Sequence, residues 1–139
     1  MSERTNIKQI IVIRRDLHMR RGKEVAQGAH ASISFLTRRF EELYKKDYYT
    51  EYGHDEKIHL SKAEAFWLQD GFKKVTCKVN TEKELLEIYE KAKAAGLEVH
   101  LITDCGTTEF HNCLTNTCLA VGPDFDEKID PITGHLELY

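Results

Sequence analysis

Apolar positions in this chain alternate between two spacings. The run KQIIVIRR, Lys8–Arg15, is β-branched and lacks a helical period, which predicts a buried strand. From about Gly22 to at least Phe40 the period becomes helical, with Val25, Ala29, Ile33, Leu36 and Phe40 three and four residues apart on one face. Residues 41–60 are polar and aromatic with no clear period, and predict a variable helix tail and loop. Ser61 and Glu64 form an S-x-x-E capping box that opens a short helix carrying Ala65, Phe66, Trp67 and Leu68. KKVTCKV (Lys73–Val79) alternates as a strand, and Thr81 with Glu84 repeats the capping box before a helix that stops at Gly96. EVHLIT (Glu98–Thr103) and NTCLAVG (Asn116–Gly122) predict a third and a fourth strand. Pro123 and Pro131 bracket a short acidic helix or turn before TGHLELY. With no internal repeat or linker, this order predicts one α/β layered domain over residues 1–139, residues 1–7 being a flexible N-terminus.

Composition adds little until it is resolved along the chain. At 139 residues, 41% hydrophobic and 31% charged, the sequence is ordinary for a globular protein. No apolar run nears the ~20 residues of a membrane span, and the N-terminus lacks a signal-peptide core, so a cytoplasmic location away from membranes is expected. Cys77, Cys105, Cys113 and Cys118 form no C-x-x-C pair, and their spacing supports neither zinc nor disulfides; buried or incidental thiols are the simpler reading. The net charge of −3 conceals an asymmetry: residues 1–46 carry +6 and the remainder −9. Such a basic segment draws in a polyanion or is simply a solvated surface, and charge alone does not choose.

Two loops carry candidate chemistry. HMRRGKEVAQGAH, His18–His30, is a basic turn running into a helix, but it lacks the glycine cradle and the Ser/Thr of a Walker A loop, and G-x-G-x-x-G is absent. A standard nucleotide loop is therefore excluded. Lys23, Gln27 and His30 stand at i, i+4 and i+7, within about one-sixth of a turn of each other, beside the free N–H groups of a helix start. From spacing alone the better reading is a surface lysine, a surface glutamine and a histidine packed at the core boundary. In TDCGTTEFHN, Thr103–Asn112, Asp104 follows a strand and precedes Gly106 and two threonines. That is a common place for a functional carboxylate, and equally an ordinary turn; His111 is a similarly weak signal.

Together the segments resemble the peptidyl-tRNA hydrolase 2 family. VIRRDLHMRRGKEVAQGAHASI is similar to its R-x-D-L-x-M-x-x-G-K and A-Q-x-x-H-A signature, and LITDCGTTEF to its D-x-G-x-T-x loop. TCLAVGP resembles its fourth strand, IDPITGHLELY its closing tail, and the resemblance runs from about Lys8 to Tyr139. It implies a three-layer α/β sandwich whose four-stranded mixed sheet is flanked by helices on both faces. It also implies hydrolysis of the ester between peptide and tRNA, no metal or nucleotide cofactor, and usually a homodimer. By motif position, the implied catalytic residues are Lys23, Asp104, Thr108 and Thr117, with Gln27 and His30 at the substrate. Arg14, Arg15, Arg20 and Arg21, with Lys23, are then placed to follow phosphates at the tRNA 3′ acceptor end. The chain departs from the family's D-A-G-R-T pattern by carrying Thr107 in place of Arg, and the stretch to the fourth strand is one residue longer. That departure keeps two alternatives open: a non-catalytic tRNA-end-binding or protein-interaction module on the same fold, and an esterase for a small aminoacyl or nucleotide ester.

Overall fold

The computed structural model describes residues 6–44, 57–107 and 109–139. In chain order these form β1 (Ile7–Arg14), α1 (Arg21–Tyr44), α2 (Lys62–Gln69), β2 (Lys74–Val79), α3 (Glu82–Ala94), β3 (Val99–Asp104), β4 (Thr115–Phe125), α4 (Asp126–Thr133) and β5 (Glu137–Leu138). The expected flexible N-terminus falls mainly on residues outside that description, but Ile7 is already a buried residue of β1. Likewise, only the ends of the expected variable stretch 41–60 are described, and residues 41–44 continue α1.

The strands form one mixed sheet in the order β3-β4-β1-β2-β5. β1 runs parallel to β2 and antiparallel to β4, and β3 and β5 are antiparallel edge strands. The expected four strands are thus corrected to five. β5 has only two residues, both exposed, so it presents no alternation to read; it exists because the chain after α4 brings Leu138 opposite Cys77 and Glu137 opposite Lys78. β4 also outruns its expected end at Gly122 and passes through Pro123. The pairing with β1 shifts register between Lys8 and Ile10, and such an irregularity tolerates a residue with no N–H to donate.

Alternation along β1 sends successive side chains to opposite faces. Ile10 and Val12 join Cys77, Val79, Leu119 and Val121 under Leu85, Ile88 and Ala92 of α3 and Ile129 of α4. Ile11 and Ile13 join Cys118 and Ala120 beneath Ala31 of α1. Next to them Phe35 of α1 meets Trp67 of α2 edge-on at 6.0 Å, with Ile7 and Ala63 around them. Helices therefore cover both faces of the sheet, α1 and α2 on one and α3 and α4 on the other.

Local signals explain the helix ends. Ser61 Oγ accepts from the Glu64 N–H, and the Glu64 carboxylate accepts from the Ser61 N–H, completing the expected box. At α3, Thr81 accepts from the Glu84 N–H, but Glu84 reaches back to the N–H of Asn80 instead. Gly96, at φ +74°, ends α3 with its N–H on Lys93 O and the Leu97 N–H on Ala92 O, a Schellman closure.

In α1 the apolar stripe faces outward. Val25 and Ile33 are 72% and 52% exposed, whereas Glu24, Gln27, Gly28, Ala31, Ser34 and Phe35 are buried. The Glu24 carboxylate, the Gln27 side-chain carbonyl and the Ser34 hydroxyl on that inner face all have partners. Tyr139 and Arg15 donate to Glu24, Thr117 donates to Gln27, and Ser34 donates to Ala31 O.

Candidate functional site

The junction between the start of α1 and the C-terminal end of β3 brings together two of the residues singled out in the sequence. Lys23 lies in the first turn of α1, and Asp104 is the last residue of β3, paired across the ladder with Thr115. Lys23 Nζ meets Asp104 Oδ2 at 3.1 Å, with only 12% and 13% of the two side chains exposed. The same Asp104 oxygen accepts the Gly106 N–H at 2.9 Å. Gly106 has φ +82°, and a Cβ there would lie 2.2 Å from Cys113 O, so glycine is required where the loop passes its own returning limb. Lys23 also lies 5.2 Å from the centroid of the Phe110 ring, which packs against the Ile11–Ala31–Cys118 core.

One turn further along α1, Thr117 Oγ1 donates to Gln27 Oε1 at 2.5 Å, and both residues are buried. Cys118 Sγ donates to the Gln27 carbonyl at 3.3 Å; burial pushes this thiol up to about 11. Gln27 is thus held from β4 at both its side chain and its backbone. His30 is on the same helix, two turns from Lys23, and is exposed. Thr108 lies outside the described residues. His111 is exposed in the loop, at φ +51°.

The four arginines occupy very different surroundings. Arg14 is 8% exposed and donates to both carboxylate oxygens of Asp16, to Asn116 O and to Glu82. Its hydrogen bonds hold the Asp16 carboxyl below the usual range. Arg15 donates to Glu24 at 2.7 Å and to the Tyr139 hydroxyl at 2.6 Å, and stacks on the Tyr139 ring at 4.6 Å. Arg20 has 84% of its side chain exposed and an ion pair with Glu109 at 3.2 Å. Arg21, the first residue of α1, is exposed.

Three contributors are absent from the sequence reading. Glu24 is buried beside Lys23, and it accepts from Arg15 and from the Tyr139 hydroxyl, which raises the phenol's pKa above its ordinary value. Glu109 and Phe110 bring the β3–β4 loop against the start of α1. Local pattern gives no sign of Glu24, whose partner Tyr139 is 115 residues away. Glu109 and Phe110 lie within the Thr103–Asn112 loop, without a spacing that would single them out.

The arrangement sets a cation against a carboxylate in a mostly enclosed corner at the N-terminal end of α1. It suits a reaction that develops negative charge near a group able to accept a proton. Among the described residues, no group of three or more His, Cys, Asp or Glu is placed to hold a metal ion.

Comparison with known proteins gives a consistent result. Residues 7–139 match the family model described as Peptidyl-tRNA hydrolase PTH2. A protein of Methanocaldococcus jannaschii named peptidyl-tRNA hydrolase is 45% identical over 133 residues, covering 95% of this chain and 99% of that one. Its namesake in Methanothermobacter thermautotrophicus is 42% identical over 132 residues, covering 95% and 99%. The one in Nanoarchaeum equitans is 40% identical over 135 residues, covering 96% and 99%. A solved structure of a protein of unknown function from Agrobacterium tumefaciens superposes with a TM-score of 0.51 at 11% identity, covering 96% of this chain and 98% of its own, which is a likeness of fold alone. A family match over nearly every residue, with relatives of equal length, shows that this chain belongs to the peptidyl-tRNA hydrolase PTH2 family.

Proposed function

We infer that this chain hydrolyses the ester joining a peptide to the 3′-terminal ribose of tRNA, releasing both. The observation that carries the assignment is the enclosed Lys23–Asp104 pair, at 3.1 Å, in a member of this family. Asp104 takes the proton of the attacking water, and Lys23 faces the oxyanion that forms as the water adds. Gln27 orients the water or the ribose. Thr117, buried and donating to Gln27, acts by positioning that amide. Thr108 keeps the relay role that its motif position implies, and exposed His30 contacts the acceptor end. Arg20 and Arg21 follow phosphates, whereas Arg14 and Arg15, held by internal carboxylates, support the turn that presents them.

Among the described residues no helix is long and apolar enough to cross a membrane. The same reading places the protein in the cytoplasm, where peptidyl-tRNA is made, and gives it a second copy as partner. A groove of about 920 Å³ on the outer flank of α1 supports the homodimer; Val25, Ile33, Trp67, Leu68 and Phe72 line it.

Purified protein incubated with N-blocked aminoacyl-tRNA and with free aminoacyl-tRNA tests the activity. The blocked substrate is expected to be cleaved in preference, and Lys23→Ala and Asp104→Asn each to lower kcat by about 10²- to 10³-fold while remaining folded. Binding without turnover would favour a non-catalytic tRNA-end-binding module, and full activity in both variants would overturn the site.

A further inference from the structure

The four cysteines fall into two classes. Cys77 and Cys118 are buried in β2 and β4, and burial raises both thiols, which makes them poor nucleophiles. Cys105 and Cys113 are exposed, one on each limb of the loop joining β3 to β4. We propose that Cys105 and Cys113 are a reversible dithiol–disulfide site, oxidised by small-molecule disulfides, at the base of the loop that holds Asp104.

The limbs are already closed on each other. Asp104 pairs with Thr115 in the ladder, the Asn112 N–H donates to Gly106 O at 2.9 Å, and a Cβ on Gly106 would lie 2.7 Å from Cys113 N. Bridging the two thiols therefore asks for adjustment within the loop and leaves the sheet intact. Cys105 Sγ lies 3.4 Å from Thr107 Oγ1, and this hydrogen bond holds the thiol below its usual value, favouring the attacking thiolate. Both members of that contact depart from the family's D-A-G-R-T pattern, which has Ala and Arg at their positions.

The chemistry balances in two exchanges. The Cys105 thiolate attacks one sulfur of a small disulfide, forming a mixed disulfide and expelling one small thiolate. The Cys113 thiolate then attacks the Cys105 sulfur and expels the second. Two protein thiols are oxidised, one small disulfide is reduced to two thiols, and the two protein protons end on those products. The consequence for turnover rests on the function proposed above. Gly106 follows Cys105 directly and donates to the Asp104 oxygen that Lys23 also holds, so a bridge that shifts Gly106 breaks that hydrogen bond and lets the Asp104 carboxylate turn from Lys23 while its backbone stays in the ladder.

The test treats the full chain with oxidised glutathione, traps remaining thiols with iodoacetamide, and maps non-reduced peptides by mass. The expected product has lost two hydrogens and contains a Cys105–Cys113 linked peptide, with Cys77 and Cys118 alkylated only after unfolding. Cys113→Ser is expected to accumulate glutathione on Cys105, and Cys105→Ser to form no bridge. Cleavage of N-blocked aminoacyl-tRNA by the bridged wild type is expected to fall about tenfold or more and to return with dithiothreitol. Mixed disulfides left unresolved on the wild type, or links to Cys77 or Cys118, would overturn the site. A clean bridge with full activity would overturn the link to Asp104. If the reduced protein shows no hydrolysis, the functional reading fails separately, and the peptide map still decides the thiol site.

Discussion

Arg14 and Arg20 carry the same charge six residues apart, and their surroundings give them different work. Arg14 ends β1, where the strand register turns its side chain between β2 and β4 onto Asp16, Glu82 and Asn116 O. Arg20 stands just ahead of α1 with 84% of its side chain exposed. Removing a buried guanidinium loses its packing and its charge-assisted hydrogen bonds together, whereas reversing an exposed charge scarcely affects folding. Arg14→Ala is expected to lower stability by about 2–3 kcal/mol in urea titrations, with little change in KM for the folded protein. Arg20→Glu is expected to stay within about 0.5 kcal/mol of the wild type, raise KM more than it lowers kcat, and reduce the log–log salt slope of binding by about one. Equal effects of both substitutions on KM would contradict this division. Sequence reading treats the two arginines alike because charge is visible in a string and burial is not. The Lys23 and Asp104 positions were legible through their motifs, but the distance between them depends on how α1 docks across β3 and β4.

At the scale of elements, strand and helix order was readable because each depends on signals a few residues apart. The capping box at Ser61, the stop at Gly96 and the β-branched core of β1 are all of this kind. α1 shows where that logic ends. Its stripe of Val25, Ala29 and Ile33 has the right period, yet the helix buries the face bearing Glu24, Gln27, Gly28 and Ala31. Two things favour that choice. Small residues let the helix approach β1, where a Cβ on Gly28 would be 3.9 Å from Ile11 Cγ2, and partners distant in sequence satisfy the polar groups. A second set of such links fastens the far half of α1. Arg39 donates to both oxygens of Glu64, at 2.8 and 2.7 Å, and to Glu98 at 2.9 Å, joining α1 to α2 and to the start of β3. The Glu64 side chain is 2% exposed, and Arg39 is its ion-pair partner at 2.7 Å. Glu64→Gln retains a side chain able to cap α2 but removes that charge, and is expected to cost about 3 kcal/mol in thermal or urea unfolding. A loss below about 0.5 kcal/mol would show that the cap, and not the ion pair, is what Glu64 contributes.

For the whole molecule, the function proposed above assigns the two flanks of α1 to two different partners. Around the helix axis, Lys23 lies about a quarter of a turn from the centre of the buried face, beside buried Gln27, and Val25, Ala29 and Ile33 lie about a third to a half of a turn away on the other side. The flank with Lys23 meets Asp104, while the other opens onto the groove walled by Trp67, Leu68 and Phe72. A second copy seated in that groove therefore leaves the Lys23–Asp104 corner open to tRNA. On the proposed reading, the exposed cations of the basic segment 1–46, which totals +6, attract that polyanion despite the acidic total. If the groove is the dimer contact, a carboxylate placed there must lose its hydration without a partner. Val25→Asp and Ile33→Asp are each expected to weaken association by about 3 kcal/mol, more than a hundredfold in Kd, and to sediment as monomers at micromolar concentration. Leu114→Asp provides the control, because Leu114 is as exposed, at 79%, but lies on the β3–β4 loop away from the groove. Sedimentation of both groove variants as the wild type does, or loss of the dimer in the Leu114 variant alone, would move the contact to another face.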